Sequence, residues 1–338
     1  MRIAVDGMGG DHAPKEVVKG CLDAINELDV EIFLTGQKEK LEEALKGYNF
    51  DHTKLHIIHA SEIITNEDKP VQAVKQKKDA SMIVGLNLLK NGEVDAFISA
   101  GNTGALLAGS LFRLGRIKGV DRPAIASVYP TSKGISLLVD AGANAECKSR
   151  NLLEFGLMGS VYTDKVLGKE NPSIGLVNIG TEPGKGTPLV KESFELFSKT
   201  DFNFYGNVEA RDLPNGIVDV IVCDGFVGNV ILKLTEGVGM TIMSMLKEIL
   251  TKNTKNKLAA LLLKASLKAF KKNLDYTEYG GAPLLGVKGA VIKAHGSSNA
   301  KAIKNAIKQA KVFVEREVVS VINKEINRIG DEENGEPT

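Results

Sequence analysis

Five glycine-containing turns each follow a polar residue at the end of a short apolar run. Glycine lets the backbone come close to a bound group, and successive N–H groups in such turns bind anions. In open parallel sheets, ligands bind beyond the carboxyl ends of the strands, where helix N-termini also attract negative charge. One such turn is equally well explained as a tight strand-to-helix connection, but five together predict a shared crevice for an oxyanion. The turns are residues 6–11, 99–104, 140–144, 178–182 and 224–229.

A second polar cluster lies near the end of the chain, in residues 293–298. Lys293, His295, Ser297 and Ser298 offer an ammonium group, an imidazole and two hydroxyls, a set that suits a phosphate or a thioester oxyanion. We predict that His295 acts as a general acid or an electrostatic catalyst. The alternative is a helix start with Ser297 or Ser298 as its N-cap. Both can hold, because helix N-termini bind phosphate.

The signatures of common cofactor sites do not occur in the sequence. Residues 7–11 lack the GxGxxG spacing of a dinucleotide site, and residues 180–187 lack the GK[ST] triplet of a P-loop. There is no HExxH, EF-hand or GxSxG pattern either. We therefore predict no cofactor, no metal ion and no serine nucleophile.

The composition is typical of a cytoplasmic globular protein. The 338 residues are 43% hydrophobic and 25% charged, and the three cysteines lie far apart, as expected in a reducing compartment. The strand-like run 2–6 leaves no room for a signal peptide, and no apolar run approaches the ~18 residues that span a bilayer. A net charge of +1 argues against nucleic acid as a partner.

Eight short apolar runs alternate with longer helical patterns, an order typical of βαβ units and a largely parallel sheet. Most runs are apolar on both faces, as expected when helices cover both sides of the sheet. We predict an α/β fold, a three-layer α/β/α sandwich, as one domain over residues 1–330 with a disordered acidic tail at 331–338. The runs are residues 2–6, 31–35, 55–60, 96–99, 125–129, 136–140, 173–178 and 218–224.

Taken in order, the five turns, the segment 206–211 and the cluster 293–298 resemble the phosphate acyltransferases of bacterial phospholipid synthesis, the PlsX family. The resemblance runs from residue 1 to about residue 325. It implies that acyl-[acyl carrier protein] reacts with inorganic phosphate to give acyl phosphate and free carrier protein. It further implies a fold similar to isocitrate and isopropylmalate dehydrogenases and a homodimer that associates peripherally with membrane. The product would pass to a membrane glycerol-3-phosphate acyltransferase.

This reaction gives the candidate residues their hypothetical roles. The glycine turns, with Lys185 or Lys293, would hold phosphate through charge-assisted hydrogen bonds, so that positioning supplies much of the rate. Asn229, or a backbone N–H near Gly228, would bind the thioester oxyanion. Aspartates repel phosphate, so some of them are expected to orient lysines or amides instead. The predicted binding residues are Asp6, Gly9, Gly10, Asp11, Gly101, Asn102, Thr103, Asn144, Asn178, Glu182, Arg211, Asp224, Gly228, Ser297 and Ser298.

A strongly basic segment lies at residues 252–272, which hold seven lysines and no acid. Wound as a helix, it places most lysines on one face and leucines on the other, within a protruding helical segment at about 240–275. Such a helix suits an anionic membrane surface or the acidic carrier protein. The alternative is a core or dimer-interface helix whose lysines face water. The predicted contact residues are Lys257, Leu258, Leu262, Leu263, Lys264, Leu267, Lys268, Phe270 and Lys271.

Two other functions remain open from the sequence. A decarboxylating dehydrogenase on the related fold would need a nucleotide cofactor and usually a divalent metal ion. A scaffold without catalytic activity would bind lipid or acidic protein through the basic segment alone. Phosphate-dependent loss of the acyl-carrier thioester, with no cofactor added, distinguishes both from an acyltransferase.

Overall fold

The computed structural model describes residues 1–267 and 280–334. Within them, eleven strands form one sheet. The strands are β1 (Arg2–Asp6), β2 (Glu31–Gly36), β3 (Leu55–His59), β4 (Ala96–Ser99), β5 (Ala124–Thr131), β6 (Gly134–Val139), β7 (Ile174–Asn178), β8 (Phe204–Glu209), β9 (Val220–Val222), β10 (Gly281–Leu285) and β11 (Ala290–Ala294).

Helices connect most of these strands and cover both faces of the sheet. A short 3-10 helix (Ala210–Asn215) follows β8. The α-helices of the described residues are α1 (Lys15–Glu27), α2 (Lys38–Leu45), α3 (Pro70–Gln76), α4 (Ser81–Lys90), α5 (Thr103–Arg113), α6 (Ser149–Lys165), α7 (Pro188–Phe197), α8 (Gly225–Thr251), α9 (Thr254–Leu262), α10 (Ala300–Glu315) and α11 (Val318–Asn334).

The direction of the strands reverses near the middle of the sheet. Its order is β3-β2-β1-β4-β11-β10-β5-β6-β9-β7-β8, and most neighbours are parallel. Three antiparallel pairs lie at the centre: β11 with β10, β10 with β5, and β5 with β6. Because of these three reversals, β6, β9, β7 and β8 run opposite to β1, β4 and β11. The five predicted turns therefore do not lie at one edge: those after β1 and β4 lie at one, and those after β6, β7 and β9 at the other.

Two apolar cores lie on the two faces of the sheet. Successive strand side chains point to opposite faces, so Ile3 and Val5 enter one core while Ala4 enters the other. Helices α1, α6 and α10 cover the first core, and α3, α4 and α5 cover the second. Full burial of one such isoleucine or valine stabilises the fold by ~1.5–3 kcal/mol. The predicted three-layer α/β/α sandwich with a mostly parallel sheet is confirmed.

Each of the eight predicted runs overlaps a strand, and β8, β10 and β11 are additions to the predicted set. β10 contains Pro283, a residue that lacks an N–H and argues against a central strand, yet it pairs with Ile292 of β11. Lys148 is the N-cap residue of α6, and Asn151 accepts a hydrogen bond from the Lys148 N–H. One predicted boundary is also corrected. α11 continues to Asn334, so the predicted disordered tail does not begin at residue 331, and residues 335–338 lie outside the described part.

α8 is 27 residues long and largely exposed. By length and apolar composition it is able to cross a membrane, and 11% of its most apolar stretch is buried. No long apolar run marks α8 in the sequence, because Lys233 and Glu236 interrupt its apolar residues. Apart from Met240, its large exposed apolar side chains recur every three or four residues and form one stripe, the α8 stripe: Phe226, Val230, Leu234, Val238, Ile242, Met245 and Ile249.

The predicted continuous helix over 252–272 is wrong at its start, because α8 ends at Thr251 and α9 begins at Thr254. α9 also stops at Leu262, and Leu263 is its C-cap residue. Leu258, Leu262 and Leu263 are 62%, 80% and 51% exposed, as the prediction of a contact surface requires. Lys257 and Lys264 are exposed and Leu267 is half-buried, whereas Lys268, Phe270 and Lys271 lie outside the described residues.

Candidate functional site

Asp6 ties the turn after β1 to the turn after β4. Its Oδ1 accepts hydrogen bonds from the Ser81 hydroxyl (2.6 Å) and the Met8 N–H (3.2 Å), and its Oδ2 accepts one from the Ser99 hydroxyl (2.7 Å). The side chain is buried, which raises the pKa of the carboxyl, while these hydrogen bonds act in the opposite direction. Asp6 therefore stabilises the two turns through these hydrogen bonds and does not face an open crevice.

The turn after β1 also contacts the 293–298 cluster. The Asp11 N–H donates to the Gly296 carbonyl (2.8 Å), and a Cβ on Gly10 would lie 3.0 Å from that same oxygen. Lys293 lies beneath this contact, with its ammonium 3.4 Å from the Ala100 carbonyl and also bonded to the Ala294 carbonyl. Burial lowers the pKa of Lys293 to about 8, although Asp6 and Asp11 oppose that shift. The three turns thus meet around one cation.

His295 projects from this cluster toward α8. Its Nδ1 lies 2.8 Å from the Ser297 hydroxyl and accepts the Ser297 N–H at 3.2 Å, and its Nε2 lies 3.5 Å from the Lys233 ammonium. Burial, followed by the charge of Lys233, lowers the pKa of His295. The Ser298 hydroxyl is buried and has no hydrogen-bond partner within residues 1–267 and 280–334. Lys233 is absent from the predicted set.

The N-terminus of α10 is already occupied, which corrects the predicted cap. Asn299, and not Ser297 or Ser298, caps this helix through the Ala302 N–H. A Glu16 carboxylate oxygen accepts the Ala300 N–H at 2.8 Å. These helix N–H groups are therefore not open to phosphate, and the two serines are turn residues that precede the helix.

At the N-terminus of α5, in contrast, two backbone N–H groups have no acceptor among the residues that the structure describes. Both polar atoms of the Asn102 side chain are already hydrogen-bonded within the protein. Its Oδ1 accepts the Ala105 N–H (2.9 Å), and its Nδ2 donates to the Thr65 carbonyl (3.2 Å). The first N–H groups of a helix have no acceptor inside the helix, and this cap leaves those of Thr103 and Gly104 without an acceptor in residues 1–267 and 280–334. Asn102 therefore acts through the helix end that it caps.

Asp140 organises the second edge as Asp6 organises the first. It is fully buried, and its carboxylate accepts backbone N–H groups of Ile125, Gly142, Ala143 and Asn144. The Asn144 side chain donates to the same carboxylate and to the Pro123 carbonyl. Burial raises the pKa of Asp140, opposed by these donors. Both polar side chains fix the turn that receives the start of α8.

Most backbone N–H groups in the first turn of α8 already donate hydrogen bonds within the protein. Asp224 caps it through the Val227 N–H (2.9 Å), and the Gly225 N–H donates to the Asn144 carbonyl (2.7 Å). The Gly228 N–H donates to the Asp224 carbonyl inside the helix, so it is not the free oxyanion donor that the sequence suggested. The Asn229 side chain is exposed and lies 3.6 Å from the position of a Cβ on Gly142.

The remaining candidates lie at the ends of β7 and β8. The Asn178 side chain donates to the Lys185 carbonyl (3.1 Å), and the buried Asn207 side chain donates to the Glu182 carbonyl (3.0 Å). Both bonds hold the exposed 180–185 turn. Arg211 is 80% exposed and faces Glu209 at 2.5 Å, so its charge is already partnered. No carboxylate within the described residues pairs with the ammonium of Lys185.

The candidates thus form two groups, joined where Lys233 of α8 meets His295. Lys233 lies one helical turn beyond Asn229, so both project from the same face of α8. That i, i+4 spacing is the sequence signal that would have indicated Lys233 once a helix was expected after Asp224. At the first edge lie Gly9, Gly10, Asp11, Gly101, Asn102, Thr103, Lys293, His295, Ser297 and Ser298; at the second lie Asn144, Asn178, Glu182, Lys185, Arg211, Asp224, Gly228 and Asn229.

A separate cavity of about 540 Å³ lies elsewhere, at the opposite ends of β4 and β11. Its lining residues include Ile117, Lys118, Lys288, Phe313 and Val318. None of the predicted site residues contributes to it.

Sequence comparison connects the chain to one family. The model of the family described as fatty acid synthesis protein matches residues 1–321. A protein named phosphate acyltransferase from Alkaliphilus oremlandii is 61% identical over 333 residues, which cover 98% of this chain and 99% of that protein. A second protein of that name, from Clostridioides difficile, is 55% identical over 333 residues, 98% of each chain.

Solved structures show the same fold at low sequence identity. A phosphotransacetylase from Streptococcus pyogenes superposes with a TM-score of 0.64 at 18% identity, over 93% of this chain and 94% of that one. A 4-hydroxythreonine-4-phosphate dehydrogenase from Klebsiella pneumoniae gives 0.53 at 14% identity, over 93% and 99%. These likenesses concern the fold alone. From the full-length matches above, the chain belongs to the fatty acid synthesis protein family, as one of its phosphate acyltransferases.

Proposed function

We propose that this enzyme transfers a fatty acyl group from acyl-[acyl carrier protein] to inorganic phosphate, as a step of bacterial phospholipid biosynthesis. One observation carries the proposal: Lys293, His295 and the open N–H groups at the start of α5 lie around turns that contact one another. Cations and amide donors of this kind bind a small oxyanion. The names of the relatives point to the same substrate, phosphate.

The reaction needs no covalent enzyme intermediate. A phosphate oxygen attacks the thioester carbon, the C–S bond breaks, and the thiolate leaves with the carrier protein as its electron pair returns to sulfur. The enzyme holds the phosphate beside the carbonyl, and orientation of this kind removes much of the barrier. Lys293 and the N–H groups of Thr103 and Gly104 are the proposed phosphate donors.

Asn229 is the proposed donor to the developing oxyanion, since its side chain is exposed at the second edge while the Gly228 N–H is used inside α8. One such donor contributes ~2.7–4 kcal/mol to transition-state binding. Lys185 is the proposed mobile cation of the second edge, because it is exposed and no described carboxylate neutralises it. Asp6, Asn144, Asn178 and Asp224 act indirectly, by holding the turns.

The experiment that tests the proposal measures thioester loss from acyl carrier protein with and without phosphate, with no nucleotide or metal ion added. We expect consumption only with phosphate, together with an acyl phosphate that hydroxylamine traps. Thioester loss that is independent of phosphate, or activity that requires a nucleotide, would exclude this function.

The exposed helices support two further proposals about partners. The α8 stripe is apolar and uncovered in one chain, so we propose that a second copy covers it in a homodimer. The leucines and lysines of α9 form an exposed surface that suits an anionic bilayer. An enzyme held peripherally at the cytoplasmic face would release acyl phosphate near a membrane glycerol-3-phosphate acyltransferase.

A further inference from the structure

The outer face of α3 and the residues that adjoin it are strongly basic. Residues 69–78 hold four lysines and no acid. The ammonium of Lys77 pairs with the Asp68 carboxylate at 2.6 Å. The other three lysines are exposed, and none of them pairs with a carboxylate in the described part of the chain: Lys69, Lys75 and Lys78. Their charge is therefore available to an acidic partner.

Apolar side chains lie beside these lysines. Val71 on α3 is 50% exposed, and Phe112 on the neighbouring α5 is 53% exposed. The Lys75 ammonium lies 5.6 Å from the centre of the Phe112 ring, so the two helices present one continuous surface. A depression of about 470 Å³ lies along α3 and is lined by residues 69–72, 75 and 76. The α3 surface comprises Lys69, Val71, Lys75, Lys78 and Phe112.

The α3 surface begins beside the proposed phosphate site. Pro70, the first residue of α3, packs against the first turn of α5, because a Cβ on Gly104 would lie 2.7 Å from its Cγ. The segment before α3 is tied to the same place, since the Thr65 carbonyl accepts a hydrogen bond from the Asn102 side chain. From this contact α3 extends ~9 Å to Gln76, at 1.5 Å per residue. A protein docked on the α3 surface therefore has the start of α5 at its edge.

The basic segment that follows α8 is less well placed for the carrier of the thioester. The thioester carbon must meet a phosphate oxygen, so the carrier has to dock close to the phosphate donors. α9 begins only after the far end of α8, ~40 Å along that helix from its first turn at the crevice. α3, in contrast, touches the helix end whose N–H groups are the proposed donors.

We propose that the α3 surface is the docking site of acyl carrier protein. This inference rests on the proposed function and names the surface that holds its protein substrate. Carboxylates of the acidic carrier match the unpaired lysines and steer its approach, while Val71 and Phe112 provide apolar contact area at the centre of the surface. A carrier docked here presents its thioester to the start of α5, and α9 stays available to lipid.

Binding of acyl carrier protein to Lys75→Glu tests the assignment. Reversal of this charge should raise the dissociation constant about tenfold or more and weaken its dependence on salt. The KM for acyl carrier protein should rise with it, whereas the KM for phosphate stays near the wild-type value. Lys75→Arg keeps the charge and should recover most of the loss. Lys199→Glu, at an exposed lysine that follows α7 at the far end of the sheet, is the matched control.

Cross-linking with a carbodiimide locates the contact without any need for turnover. The reagent joins carboxylates to lysine amines, so mass spectrometry should find carrier-protein peptides attached to Lys69, Lys75 and Lys78. Attachment to Lys255 and Lys257 of α9 instead would overturn the proposal. A dissociation constant within twofold of wild type in folded Lys75→Glu would overturn it too.

A second copy of the chain is the competing occupant of the α3 surface. Phe112→Ser should weaken carrier binding and leave the sedimentation coefficient of the protein unchanged. A change of oligomeric state in Phe112→Ser would assign the surface to contact between copies and reject the carrier. If the wild type consumes no thioester on phosphate addition, the proposed function fails, while the binding and cross-linking results still decide the docking surface.

Discussion

Gly9 lies against Gly101 so closely that a Cβ on residue 9 would be 2.7 Å from the Gly101 nitrogen and 2.6 Å from Oδ2 of Asp6. Neither neighbour is the end of a flexible side chain, because Asp6 is held by two serine hydroxyls. The turns after β1 and β4 therefore keep their mutual position only if residue 9 has no side chain.

Gly9→Ala is expected to separate these two turns. Overpacking of this kind costs ~1–3 kcal/mol of stability, and displacement of the phosphate donors should lower kcat/KM for phosphate about tenfold or more. Thermal unfolding and phosphate kinetics check both effects. Gly239→Ala is the control, since its Cβ position has no neighbour within 4 Å outside its own stretch of α8. Wild-type kinetics in Gly9→Ala would contradict this role of the contact.

Loss of the Lys293 charge should weaken phosphate binding at alkaline pH. Its pKa is lowered to about 8, so the cation is lost as pH rises through about 8, and the KM for phosphate should rise there. Lys293→Arg should remove this limb from the pH profile, because the guanidinium stays charged. A limb that persists in an active Lys293→Arg enzyme would assign it to another group.

The lowered pKa of Lys293 also predicts that stability rises with pH where phosphate binding weakens. Between about pH 8 and 10.5 the unfolded chain binds a proton at Lys293 that the folded protein does not, so the free energy of unfolding rises with pH in this window. Lys293→Met should therefore lose activity at pH 7 but unfold at an equal or higher temperature. Lys288→Met, an exposed lysine just before β11, is the control and should change neither. A large loss of stability in Lys293→Met would indicate a structural role.

Asn229→Ala should act on the chemical step. Without its side-chain donor, kcat is expected to fall by a factor of about 10² to 10³ while the KM for phosphate stays near the wild-type value. Rapid-quench measurement of acyl phosphate formation checks this. Asn323→Ala, at an exposed asparagine on α11, serves as the control. A kcat within twofold of wild type would remove Asn229 from the reaction.

Leu263→Glu should weaken membrane binding. Leu263 is 51% exposed beside the lysines that follow α8, and a carboxylate there opposes both insertion and attraction to anionic lipid. Sedimentation with vesicles that contain anionic lipid measures the effect, and added salt should weaken wild-type binding too. Val71→Glu, at a 50% exposed valine on α3, is the matched control. Equal sedimentation of a folded Leu263→Glu protein would exclude this surface.

Met245→Glu should dissociate the proposed homodimer. Met245 lies in the α8 stripe and is 59% exposed in the single chain, so a partner that covers the stripe would bury the new charge. Sedimentation velocity should show a dimer for the wild type and for Lys247→Ala, and a monomer for Met245→Glu. A monomeric wild type at micromolar concentration would contradict the dimer.

The sequence predicted the layers of the fold because apolar periodicity is a local property. Asp6 ends β1 and Asp140 follows the last residue of β6, as expected, since each directly follows a run of buried residues. β10 was not predictable in the same way, because Pro283 breaks the strand pattern and only its neighbours on both sides keep it in the sheet.

The site was harder to predict because one residue type serves several purposes. Asn102 is of a residue type that often binds ligands, but its side chain caps a helix and bonds to the Thr65 carbonyl. The Gly228 N–H donates to a carbonyl within α8. Lys233 and His295 are 62 positions apart, and their contact depends on the direction of α8, which no local pattern specifies.

Because α8 is long, a small tilt at its first turn displaces its far end by a larger distance. Its 27 residues extend ~40 Å at 1.5 Å per residue from the anchored end near Asn144 to the exposed leucines beyond Thr251. A tilt of one degree at the anchored end moves the far end by ~0.7 Å over that span. A surface that holds the far end would therefore restrict the tilt of α8, and with it the much smaller movements of Asn229 and Lys233 near the anchored end.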